Sequence, residues 1–213
     1  MISAACPFVV SVFDAYTDPD AQCICLVLEF MNAGSLQGLV DQTAAAPPRE
    51  HAQLVPEAML AMIAESVLRG LAAIHAQKQL HRDIKPSNIL LDCSARYAKI
   101  GDFGIAKELG SVSLAESFTG TLTYMSPERV AGEAYSYTSD IWSLGLCLIA
   151  LADGRLPFPT ADGYLAVVDA IQCQHTPLTL APRTTEGDFA ADGDAVSFWS
   201  TELLDFLSHC LDR

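Results

Sequence analysis

The sequence predicts an α+β protein, a largely helical body behind a small β segment. Three observations carry that reading. Short apolar runs separated by a polar turn occupy residues 8–31, apolar residues recur at three- and four-residue spacing after Pro56, and IWSLGLCLIALADG is apolar nearly all round.

In chain order, FVVSVFDAY, TDPDAQ and CICLVLEFM read as two strands of a hairpin-like pair ending near Asn32-Ala33-Gly34. Ser35 is placed to cap a short helix, SLQGLV, followed by a loop whose AAAPP run favours extended backbone. Leu60, Ile63, Val67, Leu71 and Ile74 mark one face of a long amphipathic helix that begins with Pro56 and ends near Gln77. NILL and YAKI are the next strand candidates, and residues 107–124 form a polar loop. Beyond the all-apolar helix, YLAVVDAIQ and STELLDFLSHCL read as two more amphipathic helices, with a surface loop at 174–198 between them.

The chain has 213 residues, 51% of them hydrophobic, enough for one large domain or two small ones with a core. A formal charge of −14 argues against nucleic acid or an anionic membrane as partner, yet leaves room for polyphosphate at one locally basic site. No stretch of eighteen uninterrupted apolar residues predicts a membrane span, and MISAACPFVV lacks the basic start of a signal peptide, so a cytoplasmic protein is expected. Seven cysteines, Cys6, Cys23, Cys25, Cys93, Cys147, Cys173 and Cys210, are expected to be buried reduced thiols. Cys23 and Cys25 are expected on opposite faces of their strand, poor geometry for a shared metal.

The chemistry concentrates in HRDIKPSN, residues 81–88, and IGDFG, residues 100–104. Asp83, Asn88 and Asp102 are hard oxygen donors suited to Mg²⁺, and glycines on both sides of Asp102-Phe103 permit a sharp loop. His81-Arg82-Asp83, Lys85, Asn88 and then Asp-Phe-Gly fourteen residues after Asn88 match the catalytic and metal-binding loops of protein kinases. From Pro7 to Cys210 the chain resembles the eukaryotic protein kinase domain from its fourth strand onward. Within that superfamily, ESFTGTLTYMSPERVAGEAYSYTSDIWSLGLCLIALADGRLPF is similar to the MAP kinase kinases.

The resemblance implies a remnant of the N-terminal lobe with its hinge at 1–31 and the C-terminal lobe at 32–213. It implies Asp83 as the base toward a substrate hydroxyl, and Lys85 as the charge that neutralises the transferring phosphoryl group of ATP. Asn88 and Asp102 would hold Mg²⁺, with His81 and Phe103 as internal support. LVLEFMNAGSL matches the hinge, where adenine would bond the backbone of Glu29 and Met31 beside a gatekeeper-like Leu28, with Leu90 closing on the ring. A plain buried strand would also account for Leu28 and Leu90. Lysine at position 85 resembles the Ser/Thr-type and dual-specificity pattern more than the tyrosine-only one.

In KELGSVSLAESFTGT, Ser117 and Ser113 align with the paired activating sites of animal-type MAP kinase kinases, and Ser111 with Ser117 fits the plant-type spacing equally well; Thr119 is a further hydroxyl. A phosphate there adds roughly −1.5 to −2 charges, for which Arg82 is a ready partner. The implied partners are a MAP kinase as protein substrate and an upstream activating kinase.

The family also has a glycine-rich phosphate loop and a strand lysine paired with a helix glutamate. Here the glycines before His81 are Gly34, Gly38 and Gly70, and residues 1–77 contain no lysine. The 213 residues are therefore expected to be cut at both ends, stopping before the arginine that would pair with Glu128, and to be inactive without the missing lobe. Two functions stay open at this stage: a protein kinase acting in a phosphorylation cascade, or a non-catalytic kinase lobe serving as a docking module.

Overall fold

A computed structural model describes residues 6–46, 55–93, 97–101, 122–158, 163–173, 180 and 199–212. The chain opens with an antiparallel hairpin, β1 (Val12–Asp18) and β2 (Cys23–Leu28), as the alternating runs predict. Its register sets Asp18 opposite Cys23 and Tyr16 opposite Cys25. All four side chains therefore share one face, because residues two apart on a strand point the same way. The sequence-based placement of Cys23 and Cys25 on opposite faces is corrected by that periodicity, and their Sγ atoms lie 3.9 Å apart.

Helix α1 (Leu36–Ala45) is longer than SLQGLV, extending into the alanine run expected to be extended. Alanine has the highest intrinsic helix propensity, and only Ala46, at the C-cap, turns to extended backbone. Ser35 occupies the N-cap but its side chain makes no capping hydrogen bond, so the expected cap is positional only. Helix α2 (Glu57–His75) follows Pro56, which sits at the N-cap rather than inside the helix. By length and composition α2 could cross a membrane, but Leu60, Ile63, Val67, Leu71 and Ile74 are inside the protein core.

After a single 3-10 turn at Pro86–Asn88, β3 (Ile89–Leu91) and β4 (Ala98–Ile100) pair as a second small hairpin. The short helix α3 (Pro127–Val130) precedes α4 (Thr138–Asp153), and α5 (Tyr164–Cys173) and α6 (Thr201–Cys210) follow. Thirteen of the sixteen residues of α4 are buried, as its all-round apolarity predicts. Helices α1, α2 and α6 all pack against it, so α4 is the axis of the core. Glu57 and Ser200 join the starts of α2 and α6: Ser200 N–H and Oγ–H both donate to the Glu57 carboxylate, while Ser200 Oγ accepts from Leu203 N–H.

Helix α4 ends on Gly154 in the left-handed conformation, φ +67°, against α1. A Cβ at Gly154 would lie 2.5 Å from the Ala44 backbone nitrogen and 2.7 Å from its Cα. Gly154→Ala therefore has both a conformational and a steric cost. We expect a loss of stability greater than the roughly 1–2 kcal/mol of left-handed backbone alone, read as a lowered denaturant midpoint at unchanged slope. A midpoint equal to wild type would refute the close approach of α1 and α4.

Of the six cysteines described, Cys147 and Cys210 are buried, Cys6 and Cys25 are partly covered, and Cys23 and Cys93 are exposed, with every one a free thiol. The expectation of reduced thiols is met among these residues, and that of general burial is not. Burial pushes the thiols of Cys147 and Cys210 up, Cys210 to about 11, which keeps both protonated and unreactive.

Candidate active site

The site forms where α2 ends and α4 begins, and a single carboxylate joins those ends. Asp140, in the first turn of α4, is 2% exposed. Its Oδ2 accepts from His75 Nε2 at 2.8 Å and from the His81 backbone N–H at 3.0 Å, and its Oδ1 accepts from the Arg82 N–H at 2.9 Å. A carboxylate this deep needs such donors, since burial without them costs several kcal/mol. The bonds fix the chain at His81-Arg82, where Arg82 is held at φ +69°. A non-glycine residue in that region costs of order 1–3 kcal/mol and persists only where its surroundings determine it. Arg129 Nη1 completes the clamp by donating to the Arg82 carbonyl at 2.8 Å.

The strained turn brings Asp83, Lys85 and Asn88 together. Lys85 Nζ lies 3.1 Å from Asp83 Oδ2. Asn88 Nδ2 donates to the Asp83 carbonyl at 2.8 Å and to its Oδ2 at 3.1 Å. With both amide hydrogens directed at Asp83, Asn88 Oδ1 accepts a long bond from Ser87 Oγ at 3.5 Å and keeps a second lone pair to offer a cation. Asp83 Oδ1 is enclosed and has no hydrogen-bond partner among the described residues. Solvent does not reach Oδ1, so a hydroxyl brought from outside meets this partly exposed carboxylate on the side of Oδ2, beside Lys85 Nζ.

His81 supports this loop through polar contacts as well as packing. Its Nδ1 accepts the Asp83 N–H at 3.3 Å, so the ring proton sits on Nε2, which donates to the Gly101 carbonyl at 3.0 Å. Gly101 N–H donates in turn to the Asn88 carbonyl at 2.8 Å. The strand leading to Asp102 is therefore tied to the loop carrying Asn88. Asp102 and Phe103 themselves, with Ser111, Ser113, Ser117 and Thr119, lie outside the described residues.

The predicted hinge runs beside this loop. Ala33 N–H donates to the Leu91 carbonyl at 3.1 Å and Leu91 N–H to the Gly34 carbonyl at 2.8 Å, which sets the linker antiparallel to β3 and brings Leu90 opposite Ser35. Met31 is buried, whereas Leu28 is 40% exposed and Phe30 is 85% exposed, so a simple buried strand does not account for Leu28. Glu29 N–H is committed to the Ser11 carbonyl at 2.9 Å, leaving its own carbonyl as the backbone group for a ligand. The Glu29 side chain holds Lys99 Nζ at 2.5 Å and accepts the Ser11 N–H at 3.1 Å. Partial burial raises the Glu29 pKa, but Lys99 and the Ser11 N–H outweigh it and bring the carboxyl below its usual value.

Asp140, His75, Arg129 and Lys99 escape the motif reading although they hold the site in shape. Asp140 did carry a signal: a carboxylate in the first turn of a helix apolar all round must find buried donors. Arg129 and Lys99 have no such signature, because their roles depend on which elements meet.

The family model for the protein kinase domain matches residues 1–213. Mitogen-activated protein kinase kinase 1 of Arabidopsis thaliana is 38% identical over 220 aligned positions, covering 100% of this chain and 54% of that protein. MAP kinase kinase MKK1/SSP32 of Saccharomyces cerevisiae is 34% identical over 206 positions, covering 97% of this chain and 38% of that protein. Dual specificity mitogen-activated protein kinase kinase 1 of Dictyostelium discoideum is 43% identical over 154 positions, covering 71% and 22% respectively. The chain thus spans about half or less of the length of these relatives.

Proposed function

The chain belongs to the protein kinase domain family, and from that premise we propose that the full-length protein is a MAP kinase kinase. It would transfer the γ-phosphate of ATP to Ser/Thr hydroxyls, with tyrosine as a further acceptor, on a MAP kinase in a cytoplasmic cascade. The similarity to proteins named as MAP kinase kinases in a plant, a yeast and an amoeba supports the subfamily. The observation that carries the chemistry is the Asp83 carboxylate, partly exposed and set against Lys85 and Asn88 through Oδ2.

In this reading the substrate hydroxyl docks at the Asp83 carboxylate, which orients it and takes its proton as the oxygen attacks phosphorus. Lys85 stands beside the same carboxylate, where its charge offsets that on the phosphoryl oxygens. Protein kinases as a family use ATP with Mg²⁺, which when bound neutralises charge on the phosphates. Asn88 fits such a cation because its hard carbonyl oxygen, which accepts a long bond from Ser87 Oγ at 3.5 Å, keeps a second lone pair, and Asp102 would be the second ligand. Glu29 and Met31 would meet adenine through their backbone, with Leu90 against the ring.

Regulation belongs to the same proposal. Arg82 and Arg129 both lie over the ring of Tyr135, at 5.7 Å and 5.5 Å, so two guanidinium groups gather at one ring, one of them from the residue preceding Asp83. Such a pair suits a phosphorylated side chain, and Ser117, together with Ser113, is the proposed donor of one.

The test uses the full-length protein treated with an upstream kinase, γ-labelled Mg-ATP and a catalytically inactive MAP kinase. Label is expected on the MAP kinase, and its absence under all activation conditions would overturn the function. Ser117→Ala is expected to lower the activated rate at least about tenfold, which corresponds to about 1.4 kcal/mol of barrier. Full activation of that variant would remove Ser117 from the switch while leaving the transfer reaction in place.

A further inference from the structure

We propose that Cys23, Cys25 and Asp18 form an open, three-ligand site for a zinc-type divalent cation at the tip of the first hairpin. None of these residues takes part in the site described above. A carboxylate oxygen of Asp18 and the two sulfurs all lie within 4.8 Å of one another. The strand register explains why: Asp18 is paired across the ladder with Cys23, and Cys25 projects from the same face two residues on.

The sulfur separation selects the chemistry. Two thiolates on one zinc ion, at about 2.3 Å each and a tetrahedral angle, stand about 3.8 Å apart. The observed 3.9 Å between Cys23 Sγ and Cys25 Sγ needs almost no adjustment. A disulfide is less well served, since residues two apart on an extended strand have Cα atoms roughly 6.6 Å apart, near the upper limit of the roughly 4.4–6.8 Å that disulfides span. Closing one would draw the sulfurs from 3.9 Å to about 2 Å with the Cα atoms near that limit, whereas a metal bridges the sulfurs where they stand.

The carboxylate is oriented for the role. Asp18 Oδ1 accepts the backbone N–H groups of Asp20 and Ala21, each at 3.0 Å, so the hairpin turn itself fixes the side chain. Supported ligating carboxylates of this kind are typical of metal sites. Cys23 is exposed and Cys25 is partly covered, so the cation has an entry path and a fourth position remains for water. Two sulfurs and one oxygen suit Zn²⁺ among common cations and do not suit Mg²⁺ or Ca²⁺. Both thiols release their protons to solvent as the cation binds.

The test is titration of the reduced full-length protein with Co²⁺ as a spectroscopic probe, followed by Zn²⁺. One equivalent of Co²⁺ is expected to give sulfur-to-cobalt charge-transfer bands with tetrahedral visible bands, bleached by one equivalent of Zn²⁺. Cys23→Ser and Cys25→Ser are each expected to weaken binding beyond the roughly 10–100-fold that loss of a mere supporting group costs. Asp18→Asn is expected to weaken it less while retaining the sulfur bands, and Cys93→Ser to leave it unchanged. All four positions are at least partly solvent-exposed, so the variants are expected to fold, which circular dichroism checks. Absence of sulfur bands in wild type, or bands that survive both cysteine substitutions, overturns the site. So does formation of a Cys23–Cys25 disulfide under mild oxidation with no metal uptake.

Discussion

Asp83→Asn in the full-length protein is expected to lower the rate of phosphoryl transfer by about 10² to 10⁴, the usual worth of a positioned general base. Asparagine has the same shape and keeps a carbonyl oxygen that can still accept from Lys85 Nζ and Asn88 Nδ2, now 3.1 Å from Asp83 Oδ2. What it cannot do is take a proton, because an amide oxygen is far less basic than a carboxylate. Structure and nucleotide affinity should therefore survive while chemistry fails. The Lys85–Asp83 pair is partly exposed, so its loss costs at most about 1 kcal/mol of stability. Single-turnover transfer measures the chemical step, and a nucleotide titration checks that binding is retained. A variant that transfers within about threefold of wild type, a barrier change of only about 0.7 kcal/mol, would show that Asp83 is not the base.

Much of this arrangement was legible before the fold was known, because phosphoryl transfer demands particular groups at particular spacing. HRDIKPSN brings Asp83, Lys85 and Asn88 together within one short turn, so sequence proximity became spatial proximity. The long amphipathic face of α2 and the all-apolar α4 were legible for another reason, since burial periodicity is written directly into residue type. What sequence did not disclose is the scaffold that strains the loop. The contact between Arg82 and Asp140 crosses 58 positions, and the positive φ at Arg82 is imposed by that contact, with no glycine to announce it. The hairpin thiols fail differently. The pleat that joins them was readable, but applying the strand period to Cys23 and Cys25 requires that positions two apart be placed on one face.

Asp140→Ala is expected to have the largest effect on stability, with a loss of about 3–5 kcal/mol, the range for removing one partner of a buried charged network. The substitution strands three donors at once: His75 Nε2–H, the His81 N–H and the Arg82 N–H. Each unsatisfied buried donor costs about 1–3 kcal/mol, though the loop can relax toward water and recover part of the sum. Relaxation has its own consequence, because Arg82 then has no reason to remain at φ +69°. Asp83 begins one residue later, so its carboxylate moves with the turn and transfer falls even in molecules that stay folded. Asp140→Asn separates the two effects: its remaining carbonyl can accept from one side of the loop, while its amide faces a donor that it cannot satisfy. The alanine variant should therefore unfold at the lower denaturant concentration, and the asparagine variant should keep more of its stability yet transfer slowly. Hydrogen exchange at the His81 and Arg82 amides reads the clamp directly, and both should lose protection in Asp140→Ala before the α4 core does. If those amides stay protected and transfer is undiminished, Asp140 does not hold the loop, and the strain at Arg82 must be maintained by Arg129 instead.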